Sequence, residues 1–324
     1  MMAAALLAGL VAADAPPVPP RFLGVRTAAI VAEHIDGTPF AIPQGVHYDL
    51  SRDELFVADT GNAMVGIFDG RGVPKHSFPT GPDVTYPVAL ATDEAGDIYV
   101  LSAGARFIAV YSYRGEPARR IPLEDVDGTR VAASGMGMSP DGRLHVLDAP
   151  GGRVLVLGTD GSLARVVRGS GPGGLRLQAP SDIAFDRQGR SYVSDRRGMP
   201  VQVYDSAGRY LHGWGRRDLG AQDFATPSGI AVDEHGLVLV SDPLRQDVKI
   251  FDSQGTFQDR FGGFGGRPGS VAYPTDVAAG RGGIVYVVER VGRRVQVFLR
   301  LTVGDGPKHP AEGAPAAGRP LPAR

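Results

Sequence analysis

Apolar residues in this chain fall into short runs bounded by turns rich in glycine and aspartate, and the runs come in sets of four. From Ile230 onward they read "IAV", "LVLV", "VKIF" and "TFQDRF", separated by "DEHG", by a loop over Asp242–Asp247 and by "DSQG". Short runs of β-branched and aromatic residues closed by Gly-ended turns predict antiparallel strands. Here they fall over Ile230–Val232, Val238–Val240, Val248–Phe251 and Thr256–Phe261. The turns come too often to leave room for a three-turn helix.

The set of four repeats. "PSGIAVDEHGLVLVSD" (Pro227–Asp242) matches "PSDIAFDRQGRSYVSD" (Pro180–Asp195) at nine of sixteen positions. Further copies open at Pro43, Pro87, Ala133 and Pro274, giving six copies spaced by 44, 46, 47, 47 and 47 residues. A period of this size with several strands per copy predicts propeller blades. The first two strands of each copy are nearly continuous apolar runs, as in "LVLV" and "IVYVV", which predicts cover on both faces. The fourth strands ("KHSF", "PARRIPL", "SLARVVR") are wetter, so dryness is expected to fall from the first strand to the fourth.

The sixth copy lacks a fourth strand of its own after "VQVFLRL" (Val295–Leu301), whereas an unassigned apolar stretch, Gly24–His34, precedes the first copy. That stretch is expected to complete blade six and so remove an unpaired sheet edge. The expected architecture is all-β: one six-bladed propeller of four-stranded antiparallel blades over residues 22–303. Before it come an apolar leader over 1–13 and a Pro-rich segment over 14–21. After it, the Pro/Ala/Gly tail 304–324 has little to bury and reads as disordered. The leader is too short to span a bilayer, and it reads as a signal peptide or an alanine-rich extension. With the first reading the protein is secreted or periplasmic.

Composition narrows the function classes. The chain has 324 residues, no cysteine, and 34 basic against 35 acidic residues. Disulfides, thiolate metal sites and cysteine nucleophiles are therefore excluded. The charge balance gives no global attraction to nucleic acid or to an anionic membrane. No stretch is long and apolar enough to cross a membrane, and a monomer is expected.

The motifs "PSGIAVD", "YVSD", "RRVQVF" and "DSQGTF" resemble the NHL repeat, a propeller family. The likeness covers all six copies and is weakest where Ala133 replaces Pro and Ser102 replaces Asp. It implies a six-bladed propeller and leaves function open, since that family includes scaffolds, RNA binders and a few enzymes. One similar branch carries zinc on histidines just after the opening Pro. Those positions here are Gln44, Val88, Ser134, Ser181, Ser228 and Thr275, none of them His.

Several residues are candidates for chemistry. The acid after each second strand (Asp59, Asp148, Asp195, Asp242, Glu289) suits backbone N–H groups of its own loop better than a metal ring. His145 shares a column with Tyr99, Tyr192 and Tyr286 and is expected to pack, as are Trp214 and Phe264. His47 replaces the alanine of other copies and is expected to be a buried, hydrogen-bonded histidine. Asp182 and Asp276 fall where other copies have Gly or Ala; they could bind a cation or cap backbone groups.

These placements favour a non-catalytic binding propeller. Arg196, Arg197, Arg245 and Arg290 on the loop face would contact a protein or a small anionic ligand, and Gln44, Asp182, Ser228 and Asp276 would line the channel mouth. No cofactor or metal is expected. The alternative is a metal-dependent lyase or lactone hydrolase in the channel. A third reading, an RNA-binding domain, is disfavoured by the offset charge of the loop face.

Overall fold

The computed structural model describes residues 22–124, 128–169, 171 and 176–302. The leader segments 1–13 and 14–21 and the tail 304–324 lie outside the described residues. Six four-stranded antiparallel sheets form the blades of a propeller, as the repeat predicts. Blade one comprises Pro43–Asp49, Glu54–Asp59, Met64–Asp69 and Pro74–Pro79. Blade six comprises Pro274–Ala279, Ile284–Glu289 and Arg294–Thr302, and its fourth strand is Phe22–Val31. That strand pairs antiparallel with Arg294–Thr302 from Val31↔Val295 to Phe22↔Thr302. The ring is thus closed by hydrogen bonds between the two ends of the propeller, and the edge of Arg294–Thr302 is covered.

The interior is divided. Six buried clusters each lie between two neighbouring blades, and each is built from both. Tyr99, Leu101 and Ile108 of blade two, for instance, meet Met136, Leu144 and Leu155 of blade three. The other five join blades six and one, one and two, five and six, four and five, and three and four. No blade has a second sheet of its own to pack against, so each buries its two faces on its neighbours.

Dryness does not fall steadily from the innermost strand. The second and third strands are the dry ones: Glu54–Asp59, Leu144–Asp148 and Asp247–Phe251 are buried throughout. Innermost strands such as Ala133–Met138 are only partly buried. The physical reason is that an innermost strand has a neighbouring strand on one edge and the central channel on the other. The fourth strands are wet, as expected.

Copy three opens on Ala133 and Pro227 precedes its strand, but in the other four copies the opening Pro sits at the first position of the innermost strand, where its missing N–H removes no ladder bond. It pairs with the residue that ends the second strand: Pro43↔Asp59, Pro180↔Asp195 and Pro274↔Glu289. The register shifts immediately afterwards, between Pro180 and Asp182 and between Pro274 and Asp276. Bulges of this kind re-aim side chains. The residues just past them are the ones that reach the channel axis.

The acids after the second strands behave as expected and do more. Asp195 accepts N–H groups from its own loop (Arg197, 2.8 Å; Gly198, 2.7 Å) and from the connector leading into the blade (Gln178, 2.6 Å; Ala179, 3.0 Å). Asp242 does the same with Arg245, Ala225 and Thr226. Each buried carboxylate thus ties two loops of one face together.

Candidate active site

Two carboxyls from separate blades meet in the channel. Asp182 Oδ1 accepts the N–H of Ile183 (2.8 Å), and its Oδ2 accepts that of Ile230 in blade five (2.9 Å). Asp276 repeats the arrangement, with Val277 (2.8 Å) and with Val46 of blade one (2.8 Å). These are edge N–H groups of innermost strands, which have no further strand to bond. The aspartates cap them, as one of the two readings of these residues expects. They also lie near enough to each other that the charge of Asp182 raises Asp276, which favours a proton on one carboxyl.

Gly229 makes the meeting possible. A Cβ there would lie 2.4 Å from Asp276 Oδ1 and 2.5 Å from its Cα. The Gly of blade five is therefore the space into which blade six sends its carboxylate.

Burial raises the pKa of both carboxyls. Asp182 is pushed up to about 7 by burial, against the N–H groups of Ile230 and Ile183 and the charge of Arg196. Asp276 is held well above the carboxylate range by burial and then by the charge of Asp182. Two acids in contact in a confined, poorly solvated place cannot both ionise at neutral pH, so they act as a pair holding one proton.

The pair closes one end of a cavity of about 550 Å³. The lining starts at Asp182 and Asp276, continues along apolar side chains such as Met136, Ile183, Ile230 and Val277, and ends at the turns between first and second strands, including Leu50, Glu94, Pro140, Arg187 and Glu234. The cavity therefore opens on the face opposite the arginine-bearing loops.

On its wall, His47 bonds Thr92 Oγ1 at 2.9 Å, and Thr92 donates to Asp49 Oδ2 at 3.0 Å. Burial pushes His47 down to about 4, against the charge of Asp49, so its ring is neutral at pH 7. Burial would raise Asp49, but hydrogen bonds from Ser51 and Arg52 outweigh it and bring the group to about 2. His47 is hydrogen-bonded, as expected, and also borders the cavity.

The other candidate residues scatter. Gln44 lies above the aspartates, its carbonyl accepting from Thr275 Oγ1 at 2.9 Å. Ser134 and Ser181, at equivalent positions, likewise bond the carbonyls of Pro180 and Pro227 in the next blade. These hydroxyls stitch blades together. Ser228 is buried, and its Oγ accepts Arg196 Nη2 at 3.2 Å. Arg196 thus approaches the channel from the loop side, close enough for its charge to act on Asp182.

Arg245 is spent on the carbonyls of Asp218, Leu219 and Gly220, pinning the loop from blade four to blade five. Arg197 and Arg290 are exposed in their own loops, and the four arginines form no single cluster. Trp214 packs between blades four and five. Phe264 was expected to pack similarly but is 85 % exposed, because its connector runs over the surface.

No family model matches the chain, and no curated protein matches it. Solved structures do match over most of the length. Virginiamycin B lyase from Staphylococcus aureus with quinupristin is 13% identical, with 86% of this chain and 89% of that one covered and a TM-score of 0.59. A gluconolactonase from Xanthomonas campestris is 17% identical, with 89% and 96% covered and a TM-score of 0.62. A luciferin-regenerating enzyme is 15% identical, with 86% and 95% covered and a TM-score of 0.61.

The likeness is one of fold: a six-bladed propeller of the gluconolactonase and virginiamycin B lyase type. It also overturns the expectation of a non-catalytic binding disc. Several of the similar structures are enzymes. In this chain the converging polar groups lie inside the channel, and the loop-face arginines on which the binding reading rested are dispersed or engaged.

The alternative reading invoked a metal. Among the described residues no three His, Asp or Glu side chains converge as ligands. Both channel aspartates already accept two backbone N–H groups each. This donor set does not fit a resident divalent ion, and no chemical step is derived through one.

Proposed function

We propose that the protein is an enzyme that opens a small cyclic ester in its central channel, with Asp182 and Asp276 as its acid–base couple. The observation that carries this reading is the convergence of two buried carboxyls from separate blades on one end of an apolar cavity. A largely apolar pocket with a few convergent polar groups of perturbed pKa is the general form of a small-molecule site. Six-bladed propellers named as a gluconolactonase and a lyase add support from the fold.

The chemistry follows from one proton shared between two acids. The ionised carboxylate takes a proton from water as the water oxygen attacks the ester carbonyl carbon. The protonated partner hydrogen-bonds the carbonyl oxygen and then gives its proton to the ring oxygen as that C–O bond breaks. The product is a hydroxy acid, and the couple is left again with one proton. Backbone N–H groups of Ile230 and Val46 hold the carboxyls in place, and Arg196 favours the charged form of Asp182. We propose likewise that the blades are of the NHL repeat type that their motifs resemble, which is compatible with an enzyme.

The test is turnover of a panel of five- and six-membered lactones by wild type, Asp182→Asn and Asp276→Asn. Each variant should lose roughly a hundredfold or more in kcat with little change in KM. A product heavier than the substrate by one water marks hydrolysis. Unchanged turnover in both variants would remove the couple from the mechanism.

A further inference from the structure

Blade two and blade three place an arginine at the same point of the sheet and partner it differently. Arg119 lies opposite Val110, which lies opposite Tyr99. In blade three the row reads Arg165, Val156, His145. Arg119 is fully used: Nη1 donates to Asp97 (2.7 Å), and Nη2 donates to the Tyr99 hydroxyl (2.8 Å) and to the carbonyl of Thr159 in the next blade (3.1 Å). Arg165 keeps the cross-blade bond, to the carbonyl of Ser206 at 2.5 Å. Its other two partners are gone. His145 stands where Tyr99 stands, and Arg143 stands where Asp97 stands. The buried Nε of Arg165 has no partner among the described residues.

The missing groups leave space. A cleft of about 290 Å³ lies between blades three and four, bordered by His145, Arg165, Arg187, Ser139, Ser191 and Gln188 among others. That is several times the volume share of a water molecule, so the cleft holds more than a lone halide. Its lining carries two arginines, Arg165 and Arg187, and two aspartates, Asp141 and Asp205. Burial, and then the charges of Arg165 and Arg143, push His145 down to about 4 against Asp141, leaving a neutral ring. The ring stands edge-on to Phe185 and finds no hydrogen-bond partner among the described residues.

The two acids on the lining are already engaged. Asp205 accepts the N–H groups of Ala207 and Arg209 and pairs with the Arg209 side chain. Asp141 pairs with Ser139 and with Arg143 at 3.3 Å. Arg187 is exposed at the rim and has no ion-pair partner among the described residues.

We infer that the cleft between blades three and four binds a small organic carboxylate, which completes the guanidinium of Arg165 as Asp97 completes that of Arg119. A planar carboxylate matches the guanidinium edge, and the Ser139, Ser191 and Gln188 side chains suit hydroxyl substituents on the same ligand. Ser139, Pro140, Ile183 and Arg187 border this cleft and the channel cavity alike, so the two sites share a wall. The inference stands on the blade comparison and does not depend on the reaction proposed for the channel.

The test is calorimetric titration of the full chain with acetate, malonate and gluconate at constant ionic strength, with inorganic phosphate as competitor. At least one carboxylate should bind saturably. Arg165→Met should weaken it about ten- to hundredfold, the size expected for losing a charge-assisted hydrogen bond. The double variant Arg143→Asp with His145→Tyr carries the blade-two residues; it should abolish binding while keeping the native circular dichroism spectrum and Tm. Absence of saturation in wild type, unchanged affinity in the double variant, or phosphate binding more tightly than every carboxylate would overturn the assignment.

Discussion

The carboxyl pair makes the protein spend stability on its site, and Asp182→Asn should recover it. Asp182 titrates near 7 in the folded chain against 3.8 in a free side chain, a rise caused by burial. A carboxyl with a raised folded pKa binds its proton more tightly when native. Its favourable contribution is complete below about pH 4 and is lost as pH climbs through the folded value. A shift of about three units corresponds to roughly 4 kcal/mol. Both aspartates are partly exposed to cavity water, so about 2–4 kcal/mol is the reasonable range.

Asparagine has the shape of the protonated acid. Its amide oxygen can accept from only one of Ile183 and Ile230, so the other N–H loses its acceptor. Urea unfolding of wild type and Asp182→Asn at about pH 4.5, 6 and 8 reads the effect directly, provided m stays constant. At the acid end the variant should be less stable by about 1 kcal/mol, the worth of the one N–H bond it loses. Between there and about pH 8 the balance should move toward the variant by on the order of 2–4 kcal/mol while it is catalytically impaired, the stability–activity trade-off of an active site. A difference that stays flat across this range would mean that the carboxyl is not perturbed, and the argument for a proton-sharing pair would fail with it.

Two further outcomes follow from the same structure. His47 is held neutral by burial, at about 4 against 6.5; its contribution is present above pH 6.5 and lost as pH falls through 4. Replacing it by the alanine of the other blades, His47→Ala, should reduce the acid-induced loss of stability by about 2–3 kcal/mol, followed by the fluorescence of the single tryptophan, Trp214. Removal of the chain up to Val31 takes away the strand that closes blade six and uncovers the edge of Arg294–Thr302. The truncated protein should aggregate or dimerise in size-exclusion chromatography with light scattering, and a monodisperse monomer would contradict the closure argument.

Much of this was legible in the sequence because repetition makes patterns checkable against one another. Six registers agree on the strands, and the missing fourth strand of blade six points by elimination to Gly24–His34, where the strand Phe22–Val31 is found. Asp182 and Asp276 stood out as acids in a column of Gly and Ala, and the structure brings those two together. What the column could not reveal is that they meet. Their contact depends on bulges that aim them at the axis and on a glycine, Gly229, in the blade between them. Arginine placement misled for a related reason. A loop position says which face a side chain starts from, but Arg245 spends its donors on carbonyls 25 to 27 residues earlier in the chain.

Deviation from the repeat is the signal that survives this comparison. Positions where nearly all blades agree, such as the acids after the second strands, replaced only by Ser102 in blade two, hold loops together. Positions where one or two blades depart are those where the ring has an unmatched group: Asp182 and Asp276 against Gly and Ala, His47 against Ala, and His145 against the Tyr of three other blades. Each of these departures borders a cavity. The reason is geometric. A closed ring of near-identical blades fills its interfaces by mutual fit, so a side chain that differs in size or charge from its counterparts leaves either space or an unpaired polar group where it sits. In a propeller, the symmetric residues maintain the scaffold, and function can be sought where the symmetry is broken.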